Sequence, residues 1–564
     1  MNAAATTTAS TSARPVGLFS RLERVIPILL PAVIIAIGGW VHRWTDEDAF
    51  INFRVVDQIF AGHGPVFNAG ERVEVTTSTI WVAVLTAGRA TLGWAVGMEW
   101  LSVGLGLTAA VLAFWIAAAA GRRWFSADAR ILPVGLVAVA AVPVTWDFAT
   151  SGLEMGLVWL WIACCWLALT RVATDAIPST RARRCSLILI GLGPLVRPDL
   201  ALMSVAFLAA WMLLATPRRL VRDLITAVAL PIAYQVFRMG YYANIVPNTA
   251  LAKDSGGLHV GQGWRYLKDL VGTYSLWIPM AMIVLVIALG LIERRDRRLA
   301  IATGALAVGA ALHAAYITTS GGDYMHGRLL LPSLFAVAVP ANVALVTGRG
   351  IRRVATLGAV GVVAVWSVVV IAGVRYTADR PTVFGVADIS DWRILLGKQI
   401  YHHTHKSLTV SDYKLRAYYA AGRRGYMRVL DFKPRPGRDP NKLVVTLGSI
   451  GVPAWVAGHN VYVVDVGGLA EPLAARSAPV ADRAAGHRKV ISPKWYDARF
   501  GVGGRDPRTV AGRHALRCGE IKDLLASVDD PITPTRFLSN LWQAVPNTFI
   551  HIPSDPRVAE RKYC

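Results

Sequence analysis

Three consecutive acids, Asp46, Glu47 and Asp48, follow the first long apolar run of the chain, within Trp44-Thr45-Asp46-Glu47-Asp48-Ala49-Phe50. Neighbouring carboxylates repel one another and raise the pKa of at least one member, so such a trio suits holding a cation, a base or a proton. At a membrane boundary ionisable groups are costly, and the cost favours a functional reading over a solvated loop start. A divalent cation is compatible with these acids, although no CxxC pair, HExxH or other metal-ligand spacing occurs and no metal ligand set can be named. Other span ends carry Asp147-Phe148-Ala149-Thr150-Ser151-Gly152-Leu153-Glu154, Arg197-Pro198-Asp199 and Gly321-Gly322-Asp323-Tyr324-Met325-His326-Gly327-Arg328. An arginine at such a boundary can grip a lipid-linked phosphate through a charge-assisted fork, or it can anchor lipid headgroups. Arg328 is the first candidate for the phosphate, with Arg238, Lys253, His326 and Arg197 behind it. Asp147, Glu154, Asp323 and Glu74 are the acids assigned to the sugar or the acceptor. His313, within a span, reads as a buried, hydrogen-bonded side chain, and a proton relay would need several such groups.

These residues need a membrane to stand in. The 564 residues are 54% hydrophobic and only 17% charged, with mean hydropathy +0.44, too apolar and charge-poor for a soluble enzyme of this length. The net charge of +23 does not signal nucleic acid. Twenty of the 59 Lys and Arg lie in six short clusters beside apolar runs, from Arg14/Arg21/Arg24 to Arg349/Arg352/Arg353, the pattern of cytoplasmic loops. Another 29 fall after Val374 against 17 acids, so that part is itself basic by 12 charges.

With every cluster cytoplasmic, eleven transmembrane helices fit, near 25–41, 98–119, 131–146, 153–170, 185–196, 200–216, 224–240, 275–292, 299–318, 329–346 and 354–373. Residues 1–24 form a cytoplasmic tail, 25–373 the transmembrane domain and 374–564 a domain on the outer, periplasmic face. Thr79–Leu92 is apolar but short and reads as an interfacial or re-entrant helix. No removable signal peptide is apparent, so the first span is expected to remain as an anchor. An oxidising compartment favours a Cys518–Cys564 disulfide. The lack of a GxxxxGK[ST] loop argues against ATP-driven transport, and a transporter is disfavoured because the spans lack paired charges; a scaffold in wall assembly is the other non-enzymatic reading.

Beyond Val374, short apolar runs such as 443–447 and 461–465 alternate with Pro/Gly turns and helical stretches such as 521–528, which reads as a small α/β domain. Its aromatics, among them Trp455, Trp495, Tyr496 and Trp542, suit sugar stacking or core packing.

The acidic pair in the first outer loop, eleven or so spans and an outer C-terminal domain resemble the GT-C glycosyltransferases, which use polyprenyl-phosphate sugars. More narrowly, Gly64–Asn68, Gly70–Glu74, Thr77–Thr79, Asp147–Glu154, Phe237–Tyr242, Thr249–Asp254 and Arg536–Asn540 are similar to the AftB family, the terminal β-arabinofuranosyltransferases of mycobacterial and corynebacterial cell walls. The resemblance runs from the first span to the last cysteine. It implies arabinofuranose transfer from decaprenyl-phosphoryl-arabinose to the ends of arabinan in arabinogalactan and lipoarabinomannan, with net retention at the anomeric carbon. The family's acidic pair falls on Glu47 and Asp48; members often carry Asp at both places, whereas here the first is Glu and Asp46 precedes it. Asp48 is then the catalytic carboxylate. A mannosyltransferase using polyprenyl-phosphate-mannose is the alternative within enzymes.

Overall fold

The computed structural model describes residues 18–126, 129–174, 179–215, 219–253, 257–323, 325–344, 350–374, 427–430, 443–448, 450–479, 489–501 and 504–564. Most of the expected tail, and the expected domain boundary after Val374, lie outside these. The described chain is mostly helical, and seven helices are long and apolar enough to cross a bilayer: Met98–Trp124, Met155–Thr174, Pro198–Ala215, Leu220–Tyr242, Trp277–Arg294, Arg297–Thr319 and Ile351–Gly373. The chain is therefore a polytopic membrane protein.

Four further expected spans are helical but short or interrupted. Val25–Val41 and Arg328–Ala338 are apolar stretches below that length. The 185–196 segment divides into Thr180–Gly191 and Gly193–Val196. The 131–146 segment breaks into Val134–Ala141 and Pro143–Thr150, with Val142 extended at ψ 118. Proline disfavours a helical residue before it and has no amide to continue the ladder, which accounts for the break. Thr79–Leu92 is a 14-residue helix, capped by the Ser78 hydroxyl accepting from Trp81 N.

Among the described residues, helices Met98–Gly121 and Met155–Thr174 make the most extensive helix pair, and they meet through small residues. A Cβ on Gly156 would lie 2.2 Å from the Gly106 carbonyl oxygen, so only glycine permits this approach, the usual route to close packing in lipid. Phe114, Trp159 and Phe335 fill the core beside it in mostly edge-on ring contacts.

In the C-terminal part, strands Met427–Leu430, Leu443–Leu447 and Val461–Asp465 form one sheet in that order, the first pair antiparallel and the second parallel. Helices Pro493–Phe500, Pro507–Ala515, Gly519–Asp529, Pro534–Phe549 and Pro556–Tyr563 follow. Trp495 and Tyr496 are core residues, Trp455 packs edge-on against Phe53, and Trp542 is exposed.

Helix Ala49–Phe60 and the loop after it dock this part onto the transmembrane part. Arg54 donates to the carbonyls of Phe67, Ala454, Gly458 and Val461. Asn68 accepts from Val463 N and donates to Val463 O, both at 3.0 Å, as a neighbouring strand would. Arg72 reaches Tyr241 O, Ser527 O and Asp530 O. Asn540 donates to Gly240 O, and a Cβ at Gly240 would stand 2.2 Å from the Phe537 ring.

Cys518 and Cys564 are bonded, their Cα atoms 5.2 Å apart across a sequence separation of 46. Closing a loop of this length stabilises by about 3–4 kcal/mol in the chain-entropy model. Cys518→Ser/Cys564→Ser is therefore expected to lower the melting temperature, as reducing agent should for the native chain; a melt unmoved by reductant would contradict the loop's contribution.

Candidate active site

The acid trio is separated by its backbone. Asp46 N donates to Ser151 O, and Asp46 Oδ1 accepts from Asp48 N at 2.8 Å, a local turn that leads into helix Ala49–Phe60. Asp46 is buried, and its Oδ2 has no hydrogen-bond partner among the described residues. Burial pushes its carboxyl well above the ordinary range; the Asp48 charge adds to this, and Arg328 opposes it. Glu47 points to the C-terminal part, where its Oε1 accepts from Gly451 N at 2.7 Å and Val452 N at 3.1 Å. Asp48 Oδ2 instead lies 4.0 Å from Arg328 Nη1.

Arg328 is the hub. Its guanidinium also stands 3.7 Å from Asp323 Oδ2 and 4.0 Å from Glu154 Oε1, and donates to Met325 Sδ. Gly327, at φ +64, supplies the left-handed turn that starts the segment carrying it. Glu154 continues to Arg197 at 3.7 Å, and Arg197 forks onto Asp199 with both bonds at 3.0 Å. Asp199 meets His313 Nε2 at 2.6 Å, and His313 Nδ1 meets Ser333 Oγ at 2.8 Å. Side chains from five segments distant in sequence thus form one polar chain from the acid trio into the helices.

Of the residues expected from sequence, Asp46, Asp48, Glu154, Asp323, Arg328 and Arg197 come together, while the Glu47 carboxylate turns away to the C-terminal part. The others stand apart. Glu74 is held by Arg238 Nε at 2.6 Å and by the Tyr234 hydroxyl, so the Arg238 charge is already paired. Asp147 Oδ1 meets His42 Nδ1 at 3.1 Å, and the Asp147 carbonyl accepts from Trp44 Nε1. His326 Nδ1 meets Asp269 Oδ2 at 2.7 Å. Lys253 is half-buried, beside residues outside the described set. The acid trio does not gather three close ligands for a divalent cation, since Glu47 turns to Gly451 and Val452 and Asp48 faces Arg328. Among the described residues the one group of three close potential ligands is His514, Cys518 and Cys564, and its sulfurs are joined to each other.

A second carboxylate cluster escaped the sequence reading. Arg499 binds Glu71 at 2.7 Å, Glu471 at 3.0 Å and Asp529 at 2.9 Å, tying the loop after helix Ala49–Phe60 to the C-terminal part. Burial lifts the Glu71 carboxyl to about 7, against the pull of Arg499. A raised folded-state pKa means that the folded protein holds this proton more tightly than the unfolded chain. The stability it contributes is present below the usual glutamate range and is lost as pH rises through about 7. Chemical denaturation from pH 4.5 to 7.5 should show stability falling by up to ~1.4 kcal/mol per pH unit from this group, a slope that Glu71→Gln removes. An unchanged slope in that variant would contradict the assignment.

Membrane-spanning helices whose ends converge on buried acids and arginines place the chain in the class of polytopic membrane enzymes. Residues 432–561 match the model of the AftB family C-terminal domain. The chain is 32% identical to the terminal β-(1→2)-arabinofuranosyltransferase of Mycobacterium tuberculosis, covering 95% of this chain and 96% of that protein. It is 31% identical to the terminal β-(1→2)-arabinofuranosyltransferase of Corynebacterium glutamicum, covering 90% of this chain and 83% of that protein. The chain belongs to this arabinofuranosyltransferase family, as the resemblance in its motifs implied.

Proposed function

We propose that the protein transfers arabinofuranose from decaprenyl-phosphoryl-arabinose to the non-reducing ends of cell-wall arabinan, forming the terminal β-(1→2) linkage of arabinogalactan and lipoarabinomannan. The observation that carries this reading is the near-full-length relation to two enzymes of that name, joined to an Asp48–Arg328 pair at the end of the first span. In the reaction the anomeric C–O bond to phosphate breaks and its electron pair leaves with the phosphate. The acceptor oxygen bonds to the anomeric carbon and gives its proton to a carboxylate. Phosphate is already a fair leaving group, so the protein must chiefly orient the hydroxyl, take the proton and stabilise an oxocarbenium-like state. Asp48 fits the base or transition-state carboxylate. Arg328, with Arg197 behind it, fits the donor phosphate, and Glu154 and Asp323 fit the sugar and acceptor hydroxyls. Glu47 supports the loop through its bonds to Gly451 and Val452.

The full arrangement is a GT-C fold of eleven spans over residues 25–373, with a cytoplasmic tail at 1–24. Residues 374–564 form the periplasmic domain of an enzyme in the plasma membrane. The six arginine-rich loops support this orientation. Purified protein given labelled polyprenyl-phosphate arabinose or mannose, with an arabinan acceptor, should transfer only arabinose. Transfer of mannose alone would replace this reading with the mannosyltransferase one.

A further inference from the structure

Helix Pro534–Phe549 is inside out. Its inward face is polar: Asn540 and Asn547 are 0% and 3% exposed, and Thr548 is buried beside them. Its outward face carries Leu538, Trp542, Val545 and Phe549, at 61%, 84%, 49% and 72% exposure. The spacing of four, three and four residues sets these four side chains in one stripe along the helix. A soluble domain places such a stripe inward, because each large apolar side chain kept from water is worth roughly 1.5–3 kcal/mol.

The polar face is spent on the transmembrane part. Asn540 donates to Gly240 O, Asn547 Nδ2 to Ala243 O, and the Thr548 hydroxyl accepts from Ile245 N. Phe537 covers Gly240. These contacts fix the helix to the end of span Leu220–Tyr242, whose Ile225, Ile232 and Val236 are exposed as lipid-facing residues are. Gly240 is one helical turn, about 6 Å, beyond Val236. The apolar stripe therefore continues the lipid-facing surface of that span at its interfacial end, the level at which tryptophan is favoured.

We propose that helix Pro534–Phe549 is a membrane-surface helix that immerses Leu538, Trp542, Val545 and Phe549 in the headgroup and upper acyl layer, so that the C-terminal part rests on the bilayer as well as on the spans. The occupant is phospholipid: the stripe carries no charge and is continuous with a surface that already faces lipid. Docked this way, the C-terminal part is held at a fixed height over the span ends, where a sugar on a lipid phosphate emerges.

The test uses the full chain in nanodiscs, with the exposed Cys185 replaced by Ser and a bimane label on Leu538→Cys, Phe549→Cys or, as control, Lys522→Cys on the exposed side of helix Gly519–Asp529. With phosphatidylcholine brominated near the top of the acyl chain, labels at 538 and 549 should lose about half their emission, since such helices sit ~5–10 Å deep, and the label at 522 should keep its own. Equal emission at all three positions overturns the proposal. Shielding of 538 and 549 from aqueous iodide without bromine quenching, and only when two copies share a disc, overturns it in favour of an interface between copies. In the unsubstituted chain, a phospholipid bearing an acyl diazirine should leave adducts on the tryptic peptide 537–557; adducts confined to the spans would likewise overturn it.

Discussion

Asp48→Asn should lower arabinosyl transfer by roughly 10²-fold or more, the lower range for loss of general-base catalysis, while the protein folds and binds the lipid donor. The substitution keeps the shape and removes one charge beside Arg328, at the partly exposed edge of the site. Asp46→Asn should cost much less, because the Asp46 carboxyl is already pushed toward its neutral form by burial and by Asp48. Glu47→Gln should also cost less, since an amide oxygen can still accept from Gly451 N and Val452 N. Initial rates at saturating acceptor, with donor binding measured separately, distinguish the three. Near-full activity in Asp48→Asn with loss in Asp46→Asn would shift the catalytic acid by two residues.

Arg328→Gln is the second large effect. The guanidinium lies within 4.0 Å of Asp48, Asp323 and Glu154, and removing it takes one positive charge out of a largely buried cluster of acids. Breaking a buried charge cluster from one side costs about 3–5 kcal/mol, so the melting temperature should fall. If the same guanidinium also grips the donor phosphate, losing one charge-assisted bond of about 1.5–3 kcal/mol weakens donor binding by roughly 10- to 100-fold. Arg328→Lys keeps the charge without the fork and should recover stability more than affinity. Arg238→Gln should leave donor affinity near normal, because Arg238 is committed to Glu74. Unchanged donor affinity in Arg328→Gln would reduce its role to holding the acids.

The apolar spans were legible because lipid imposes a length and a composition that few other environments demand, and the strands at 443–447 and 461–465 stood out as β-branched runs between turns. Helix continuity was less so: Pro143 is visible in the sequence, yet a proline inside an apolar run either kinks a helix or ends it according to its neighbours. The pairing of charges was not legible at all. Glu74 and Arg238 are 164 residues apart, and Asn68 and Val463 are 395 apart, distances over which composition carries no pairing signal. For this reason Glu74 reads as a site acid, whereas it holds the end of a span, and Asn68, Glu71 and Arg72 beside it bind the C-terminal part. His313 could have been anticipated more fully, since a histidine inside a span needs partners, and Asp199 and Ser333 are polar residues within reach of its helix ends.

Arabinofuranosyl transfer at the Asp48–Arg328 site would be read out by the linkage made in one turnover. Purified protein in nanodiscs, given carbon-13-labelled decaprenyl-phosphoryl-arabinose and a synthetic arabinan acceptor, should add a single terminal arabinofuranose whose NMR couplings and correlations show a β-(1→2) bond, with the product lost in Asp48→Asn. A different linkage, or the same product formed undiminished by Asp48→Asn, would contradict the account.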